Sequence, residues 1–377
     1  MILRISSSSY NMFIHPLSAI SSRLNFAQNI DGFSLGDSSE CFKLSTLSSQ
    51  ITYHAFCDDF GPMNLACVVD FIQMLEEKLV DCTTTKLILC VDAGRRALTN
   101  AVFLLGSYMI LRQGNASSAV AASFHWLERQ MEPYRDASFS HPDFVLHLID
   151  CWRGLEKGMQ QGWVRFGGSH HMWGMIDVDE FRHHDNPANG SLHEVVPGKF
   201  VALKGPVDLG GDEYRDGVDG ARSFSPAFYA DIFLGMDVST VVRLDEPQYA
   251  AEVLTSRGFA HHSLEFPAGA ACPSDAVVVA FLRAVDAAPG AVAVHCRTGR
   301  GRTGTLIALY LMRSCGFTAR EAMGWLRIMR PGSVIGEQQH YLCAVDSVLQ
   351  GMRSRASAHE SASPAASGSC CSVKTLK

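Results

Sequence analysis

Apolar positions along this chain alternate between short strand-like runs and longer helix-like runs. Compact apolar runs predict strands at residues 86–91, 240–244 and 291–294, where small or β-branched side chains suit a strand buried on both faces. Helix-like patterns are present at residues 98–112, 117–127, 246–257, 274–285 and 305–312. This alternation predicts an α/β fold, with a central, mostly parallel sheet flanked by helices.

The pattern also repeats within the chain. Cys90 and Arg96 stand six positions apart after one predicted strand, as Cys296 and Arg302 do after another, and a helix-like run follows each pair. Such self-similarity indicates two tandem copies of one unit. The predicted organisation comprises a leader at 1–22 that is disordered or partly packed, a first domain at 23–202, a Gly- and Asp-rich linker at 203–226, a second domain at 227–353 and a disordered tail at 354–377.

Composition narrows the classes of function. A length of 377 residues suffices for two domains, and 47% apolar with 19% charged residues is the balance of a globular protein. The net charge of −6 argues against nucleic acid as a main partner. Twelve irregularly spaced cysteines indicate a reducing compartment rather than a disulfide framework. No run of 18 uncharged apolar residues occurs, so we expect no membrane span.

The residues after the third predicted strand form a candidate reaction centre. Cys296 ends the strand, and the helix N-terminus that follows can lower the pKa of a thiol and so produce a nucleophilic thiolate. Arg302 would bind two phosphoryl oxygens with its planar fork, and Thr303 would hydrogen-bond the thiolate. The predicted chemistry is phosphoryl transfer to cysteine and then to water. A buried structural cysteine is the alternative.

A phosphate cradle is predicted to join the strand to the helix. Its glycines allow successive backbone N–H groups to point into one cup without Cβ clashes. The predicted phosphate-binding residues, called the cradle below, are Arg297, Thr298, Gly299, Arg300, Gly301 and Arg302. The His, the Cys, the spaced glycines, the Arg and the Thr all occur together in this strand-to-helix context, which favours the phosphate site over the structural cysteine.

At these residues the chain resembles the Cys-dependent protein phosphatases, and more narrowly the CDC14 family of dual-specificity phosphatases. The narrower resemblance rests on RIMRPGSVIGEQQHYL at 327–342, with DDFGPMNLA at 58–66, PYRDASF at 133–139, DVDEF at 177–181 and VPGKF at 196–200. It covers roughly residues 23–350. The resemblance implies two phosphatase-like domains, of which the first shapes the substrate groove and the second is catalytic.

The resemblance also implies a function. We expect metal-independent dephosphorylation of phosphorylated proteins at phosphoserine or phosphothreonine before proline, the sites of cell-cycle kinases, and at phosphotyrosine, with no cofactor. Gln338 and Gln339 are candidates to position the hydrolytic water. A location in the nucleus or cytoplasm, including the mitotic apparatus, follows from the same resemblance. The oligomeric state stays open.

The first copy departs from the cradle pattern. It reads CVDAGRRA from Cys90, with one glycine in place of three and no threonine after the arginine. Asp92 stands where backbone amides would meet an anion, and its charge would repel phosphate. We therefore expect the first copy to be inactive.

The second copy departs from the family in its proton donor. The family places an aspartate in F-x-D-G-S-T-P-S-D, whereas this chain reads FPAGAACPSD, which puts Ala268 at that position. Loss of a positioned general acid costs about 100- to 10,000-fold in rate. Glu265 is a possible replacement, and Asp275 is either a replacement or a helix cap. If neither serves, we expect a slow phosphatase or a protein that binds phosphorylated ligands without turnover.

Two further departures concern specificity. Acidic residues of the family groove prefer a basic residue after the phosphoserine-proline pair, but Arg182 and Ser191 replace two of them here and only Asp185 keeps its charge. Preference for lysine or arginine should therefore be weaker. Arg297 and Arg300 make the cradle doubly basic, which resembles phosphatases of inositol lipids and is kept as an alternative.

The remaining features predict little chemistry. Histidine pairs at 170–171, 183–184 and 261–262 lack ligand partners at helical spacing, so no metal site is expected. His295 is expected to stabilise the cradle by hydrogen bonding rather than act as a base. The Ser-rich leader weakly suggests organelle targeting, and Cys370 and Cys371 weakly suggest lipidation. An untargeted leader and an inert tail are favoured.

Overall fold

A computed structural model describes residues 3–7, 10–28, 39–43, 51–81, 86–139, 141–166, 172–173, 175–218, 220–269 and 271–362. The strands are β1 Leu3–Ser7, β2 Tyr10–Pro16, β3 Leu24–Gln28, β4 Ser39–Lys43, β5 Lys86–Val91, β6 Arg165–Phe166, β7 Met172–Trp173, β8 Leu192–Val196, β9 Phe200–Lys204, β10 Tyr214–Asp216, β11 Arg222–Phe224, β12 Val238–Arg243, β13 Ala260–Ser263 and β14 Ala291–Cys296. The helices are α1 Leu65–Asp81, α2 Arg95–Leu111, α3 Ser117–Phe124, α4 Leu148–Gln160, α5 Val178–Asp185, α6 Pro226–Gly235, α7 Glu252–Thr255, α8 Asp275–Ala287, α9 Gly301–Ser314, α10 Ala319–Met329 and α11 Glu337–Ala362.

Two five-stranded sheets organise these elements. The first has the order β1-β2-β3-β5-β4, in which β5 is parallel to both of its neighbours. The second has the order β13-β12-β14-β9-β8, with four parallel strands and β8 antiparallel at the edge. We call the first sheet with α1–α4 the first unit, and the second sheet with α6–α11 the second unit. The α/β class and the tandem arrangement of two sheet-containing units are confirmed.

Close helix packing joins the two units. Helix α4 of the first unit lies against α10 of the second, and a Cβ added to Gly154 would come within 2.5 Å of the Glu321 carbonyl oxygen. Gly158 meets the ring of Trp325 in the same way. The Trp325 indole N–H then donates to the Val195 carbonyl oxygen at 2.9 Å. Glycine therefore allows the two backbones to approach, and one apolar core extends through both units.

The predicted domain boundary requires correction. Strand β8 lies before the predicted linker at 203–226 and β9 ends two residues inside it, yet both belong to the second sheet, where β9 is the neighbour of β14. The predicted linker itself contains the β10–β11 hairpin rather than structureless chain. The reason is physical, because β14 is buried along its whole length and needs a hydrogen-bonded strand on each side.

Several element ends also differ from the predictions. The leader supplies β1 and β2, whose backbones extend the first sheet from β3. The helix expected at 117–127 ends at Phe124, and a 3-10 helix, His125–Gln130, follows it. Only the four residues of α7 are helical within the segment expected to be helical at 246–257. Helix α11 continues to Ala362, into the segment predicted as a disordered tail, whereas Cys370 and Cys371 lie outside the described residues.

Candidate active site

Strand β14 places Cys296 at the centre of the second sheet. All six residues of the strand are buried, and the apolar residues from Ala291 to Val294 explain why it forms there. The strand runs parallel to β12 on one side and to β9 on the other. Cys296 is its last residue and is 3% exposed. The strand-to-helix position predicted for the candidate nucleophile is therefore confirmed, while its role stays a prediction.

The backbone of the cradle offers several free donors. None of the hydrogen bonds between described residues uses the backbone N–H groups from Thr298 to Thr303. Gly299 has φ +66°, and a Cβ there would come within 1.8 Å of the Leu203 carbonyl oxygen, so only glycine fits this turn. Unpaired N–H groups at a helix N-terminus form an anion site. The geometry is compatible with the predicted phosphate cup, whose binding role stays a prediction.

Arg302 is oriented by two carbonyl groups. Its Nη1 donates to the carbonyl oxygens of Leu244, at 3.0 Å, and Phe266, at 2.8 Å. The side chain is buried, and no described residue accepts a hydrogen bond from its Nε or Nη2. Carbonyl partners hold a guanidinium in place without neutralising its charge. The remaining two donors are the pair that a bidentate phosphate contact requires.

Thr303 contacts the candidate nucleophile directly. Its Oγ1 donates to the Sγ of Cys296 at 3.3 Å, and both residues are buried. A hydroxyl donor stabilises a thiolate more than a thiol, because the hydrogen bond to a charged acceptor is stronger. The hydrogen bond predicted from the sequence is present in the structure.

The two additional arginines of the cradle have different surroundings. Arg297 is exposed at the mouth of the cup. Arg300 instead lies 3.6 Å from the ring centroid of Phe56 in the first unit, and it donates to the carbonyl oxygens of Pro331 and Thr298. Burial, and then the charge of Arg330, lower the pKa of Arg300 to about 9. Arg300 therefore forms part of the wall, and only Arg297 is presented as an extra cation.

Behind the nucleophile, His295 belongs to a buried polar chain. Its Nε2 lies 2.8 Å from the Tyr249 hydroxyl, which lies 3.0 Å from Nε2 of His261. On its other side, Nδ1 is 3.6 Å from Oδ1 of Asp245. Burial and nearby positive charge lower the pKa of His295 to about 3, so the ring is neutral at pH 7. The contacts of Tyr249 and Asp245 with His295 were not predicted, since neither residue lies in the stretch 291–305 that contains the cradle.

The loop expected to carry the general acid has no acid at its centre. Ala268 is exposed in this loop, and Phe266 is buried beneath it. Glu265 and Asp275 are both exposed, and among the described residues neither makes a hydrogen bond or ion pair with the cradle. Ser274 caps α8 by accepting from the Val277 N–H, so the cap expected at Asp275 is one residue earlier. Replacement of the acid by either residue stays a prediction.

Gln338 and Gln339 are both buried beside the cradle. The Gln338 amide donates to the carbonyl oxygens of Gly269 and Ala271 in the acid loop, and a Cβ on Gly301 would lie 3.0 Å from its Oε1. Gln339 accepts from Arg327 and donates to the Gly336 carbonyl oxygen. Gln338 Oε1 also accepts from the Ile335 N–H, so this side chain is held between the acid loop and the helix-start segment beside the cradle. The role of either glutamine with the hydrolytic water stays a prediction.

The remaining acid of the predicted groove is engaged within the protein. Asp185 accepts from Nε2 of His193 at 2.9 Å and from the Asn64 side chain of the first unit, also at 2.9 Å. Burial alone would raise the pKa of Asp185, but the His193 hydrogen bond and the charges of Arg330 and Arg300 lower it. The charge of Asp185 is therefore directed inward.

Arg182 and Ser191, at the other two groove positions, also contact residues within the protein. The guanidinium of Arg182 pairs with Asp70 and with Asp179. Ser191 accepts a hydrogen bond from Arg330 at 3.4 Å. Arg182 therefore links α5 to α1 of the first unit, and Ser191 joins the contacts of Arg330. The weaker preference for basic substrates stays a prediction.

In the described part of the chain, no group of three or more His, Cys, Asp or Glu side chains is arranged to hold a metal ion. None of the described helices combines the length and apolar character that crossing a bilayer requires. His170 and His171 lie outside the described residues.

Comparison with known proteins agrees with this geometry. Residues 18–158 match the family described as "Dual specificity protein phosphatase, N-terminal half", and residues 272–347 match "Dual specificity phosphatase, catalytic domain". Human dual specificity protein phosphatase CDC14C is 36% identical over 299 residues, which are 79% of this chain and 64% of that protein. Human CDC14A is 37% identical over 302 residues, which are 79% of this chain and 48% of that protein.

The chain thus spans about half to two thirds of the length of these relatives. It is also similar to the solved structure of Tk-PTP in its active form, with 25% identity, a TM-score of 0.32 and coverage of 40% of this chain and 92% of that one. The two family matches fall on the two structural units in chain order. The similarity to human CDC14C covers 79% of the chain and therefore most of both units. The chain belongs to the CDC14-like dual specificity protein phosphatases.

Proposed function

We propose that this chain hydrolyses phosphate monoesters on proteins, with Cys296 as the nucleophile. The observation that carries the proposal is the 3.3 Å contact between Thr303 Oγ1 and Cys296 Sγ beneath a cup of free backbone N–H groups. Arg302 supports it, since two carbonyl groups orient its fork without neutralising its charge. Together these groups hold a sulfur nucleophile beside a site for a phosphoryl dianion.

The proposed reaction has two steps. The Cys296 thiolate attacks phosphorus, a P–S bond forms, and the P–O bond to the serine, threonine or tyrosine oxygen breaks. The N–H groups from Thr298 to Thr303 and the Arg302 guanidinium hold the nonbridging oxygens. Water, positioned by Gln338, then attacks the phosphorus of the phosphocysteine and transfers its proton to solvent water, while the P–S bond breaks. Phosphate departs, and Thr303 stabilises the released thiolate.

The step that lacks a partner in this chain is protonation of the leaving oxygen. An alkoxide is a poor leaving group, and Ala268 supplies no proton. Without a positioned general acid, the activation barrier rises by about 3–5 kcal/mol. Phosphotyrosine, with its more acidic leaving group, should suffer less than phosphoserine. We propose serine- and threonine-proline sites and tyrosine sites as substrates, with little dependence on a following lysine because Asp185 is engaged internally.

Phosphate release from three substrates tests the proposal. These are a phosphoserine-proline-lysine peptide, a phosphotyrosine peptide and an inositol lipid, each with wild type and Cys296→Ser. Turnover of the peptides that disappears in Cys296→Ser is expected. Glu265→Gln and Asp275→Asn then show whether either residue donates the proton. Preferential release from the lipid would contradict the assignment to protein substrates.

The second candidate is a phosphoprotein-binding protein without turnover. Ala268 favours it, because an intact cup without an acid binds phosphate and reacts slowly. Tight binding of the phosphoserine peptide without phosphate release would establish this candidate and exclude the enzyme.

A further inference from the structure

Arg330 is a fully buried arginine that contacts the outer side of the cradle. Its Nε donates to the Gly299 carbonyl oxygen at 2.7 Å, and its Nη2 donates to the Thr298 carbonyl oxygen at 3.0 Å. Its Nη1 lies 2.8 Å from Nδ1 of His193, and Arg330 is 1% exposed. The Arg330 guanidinium therefore holds both carbonyl groups of the cradle turn, and Arg300 adds a second donor to that of Thr298 at 3.1 Å.

The orientation of these two carbonyl groups determines the charge inside the cup. A peptide unit has its C=O and N–H on opposite sides, so N–H groups face the phosphate only while the carbonyl oxygens face outward. Gly299 has a positive φ and no side chain, so its flanking peptides have little intrinsic resistance to rotation. A rotated peptide would direct a carbonyl oxygen at the phosphate. Arg330 opposes that rotation at two consecutive peptides.

From Arg330, a chain of hydrogen bonds runs through His193 to Asp185, and each residue donates to the next. Arginine only donates, so Nδ1 of His193 must accept from Arg330. Nε2 of His193 then carries the proton and donates to Asp185 at 2.9 Å. Asp185 also accepts from Asn64 of the first unit. A buried cation thus gains a carboxylate counterion through a neutral imidazole, and a contact from the first unit completes the network.

We propose that Arg330, His193 and Asp185 are positioning residues that hold the cradle carbonyl groups of Thr298 and Gly299 away from the bound phosphate. Asp185 thereby acts on the cradle rather than on a substrate cation. The inference rests on the proposed function, because it assigns a role in phosphate binding at the same site.

Affinity for tungstate, a phosphate-like oxyanion that needs no turnover, provides the test. In the full chain, His193→Ala should weaken tungstate binding about tenfold, since it leaves the Arg330 donor unpaired. Arg330→Met should weaken it on the order of 100-fold, and Arg330→Lys should restore only part of the loss because it lacks the planar fork. With p-nitrophenyl phosphate as substrate, the loss should fall mainly on KM.

Arg320→Met is the matched control. Arg320 lies on α10, ten residues before Arg330, and donates to Asp150 and to the Val145 carbonyl oxygen rather than to the cradle. Its loss should lower Tm and leave tungstate affinity unchanged. If Arg320→Met and His193→Ala weaken tungstate binding equally, general destabilisation explains both and the inference is overturned.

A double-mutant cycle tests the relay itself. Asp185→Asn should weaken tungstate binding severalfold in wild type and have no further effect in His193→Ala, because the path to Arg330 is already broken. An equal effect in both backgrounds would overturn the relay. Failure of the wild-type chain to bind tungstate would overturn the proposed function, whereas normal wild-type binding that His193→Ala leaves intact would overturn only this inference.

Discussion

The two units contain the same strand, turn and helix, yet the arginine that follows each turn has different hydrogen-bond partners. Arg96, six residues after Cys90, pairs with Asp58 at 2.7 Å and with Glu132 at 2.9 Å. Arg302, six residues after Cys296, donates to two carbonyl oxygens. Both arrangements hold a guanidinium in place, but carboxylates neutralise it and carbonyl groups do not. Phosphate binding therefore depends on how the arginine is held as well as on its presence.

The turns differ in a related way. In the first unit, the Gln28 side chain donates to the carbonyl oxygens of Asp92 and Gly94, and α2 begins directly afterwards at Arg95. In the second unit, the outward carbonyl groups of Thr298 and Gly299 are held by Arg330. The first turn is thus closed by a neutral, half-buried amide and carries an exposed aspartate. The second turn is closed by a buried cation that adds to the positive potential of its cup.

Replacing the two cysteines should produce the largest difference between the units. Cys296→Ser should lower kcat by roughly 10⁴-fold or more, because no other residue replaces a covalent nucleophile. Cys90→Ala should leave kcat unchanged and cost about 1 kcal/mol of stability, since the Cys90 side chain is a buried apolar group. Phosphate release from a phosphotyrosine peptide measures the first effect, and thermal unfolding measures the second. A large loss of activity in Cys90→Ala would show that the first unit is catalytic.

The second largest difference between the units is expected when one methyl group is added to each turn by a glycine-to-alanine substitution. Gly299→Ala places a Cβ within 1.8 Å of the Leu203 carbonyl oxygen and should weaken tungstate binding by about 100-fold or more, because the cup must distort. Gly94→Ala meets no atom within 4 Å and should cost only backbone strain, about 1–3 kcal/mol, at φ +109°. Calorimetric titration and thermal unfolding of both variants provide the measurement. Similar tungstate affinities in the two variants would contradict the assignment of the cup.

Restoring a proton donor should have a smaller and more selective effect. Ala268→Asp should raise kcat on a phosphoserine peptide by about 100-fold and raise it much less on p-nitrophenyl phosphate, whose leaving group needs no proton. Ala268→Asn, which cannot donate an acidic proton, is the control. If the two substrates gain equally, the aspartate acts through binding rather than as an acid. The comparison between units then becomes one of degree, because the second has an alanine at the position expected for the acid and the first has one glycine where the cradle has three.

Sequence patterns sufficed to predict the strand, turn and helix around Cys296, because these elements are contiguous in the chain. Residues 291–305 contain the apolar strand, the glycines and the helix start in one stretch, and the Thr303 contact follows from its position. The family resemblance rested on similarly local motifs. The unit boundary was missed because the partners of β14 are decided by sheet pairing, and a Gly- and Asp-rich loop looks the same within a unit as between units.

The partners of Asp185 could not be predicted for a related reason. Asn64 lies 121 residues from Asp185 in the chain, and Arg330 lies 137 residues from His193. A single sequence shows that Asp185 is charged, but whether this charge faces substrate or protein depends on contacts that only the fold creates. Arg330 itself stood in the quoted RPGS motif, and a buried arginine beside a glycine turn is the signal that could have identified it.

The smallest predicted effect concerns acid stability and again separates the units. His193 and His295 of the second unit are buried, whereas His54, His125, His141 and His147 of the first unit are exposed. Burial, with nearby positive charge, lowers the pKa of His193 to about 4 and that of His295 to about 3. An unfolded histidine has a pKa of about 6.5. Between about pH 6.5 and these folded values the unfolded chain binds more protons, so stability must fall as the pH falls.

In the window from pH 6.5 to 5, carboxylates with lowered pKa, such as Asp185, contribute little, because they lose stability only nearer their unfolded pKa of about 4. His261, whose pKa is lowered, and Asp245, whose pKa is raised by burial, are present in wild type and variant alike, so the difference between the two proteins gives the His193 contribution. Urea unfolding at several pH values in this window gives the slope of the free energy of unfolding against pH. His193→Asn should reduce that slope by at most about 1.4 kcal/mol per pH unit, the value for one proton, whatever it does to absolute stability. His125→Asn, in the first unit, should leave the slope unchanged. Equal slopes in wild type and His193→Asn would mean that His193 is not held neutral, and the direction of its hydrogen bonds to Arg330 and Asp185 would then be wrong.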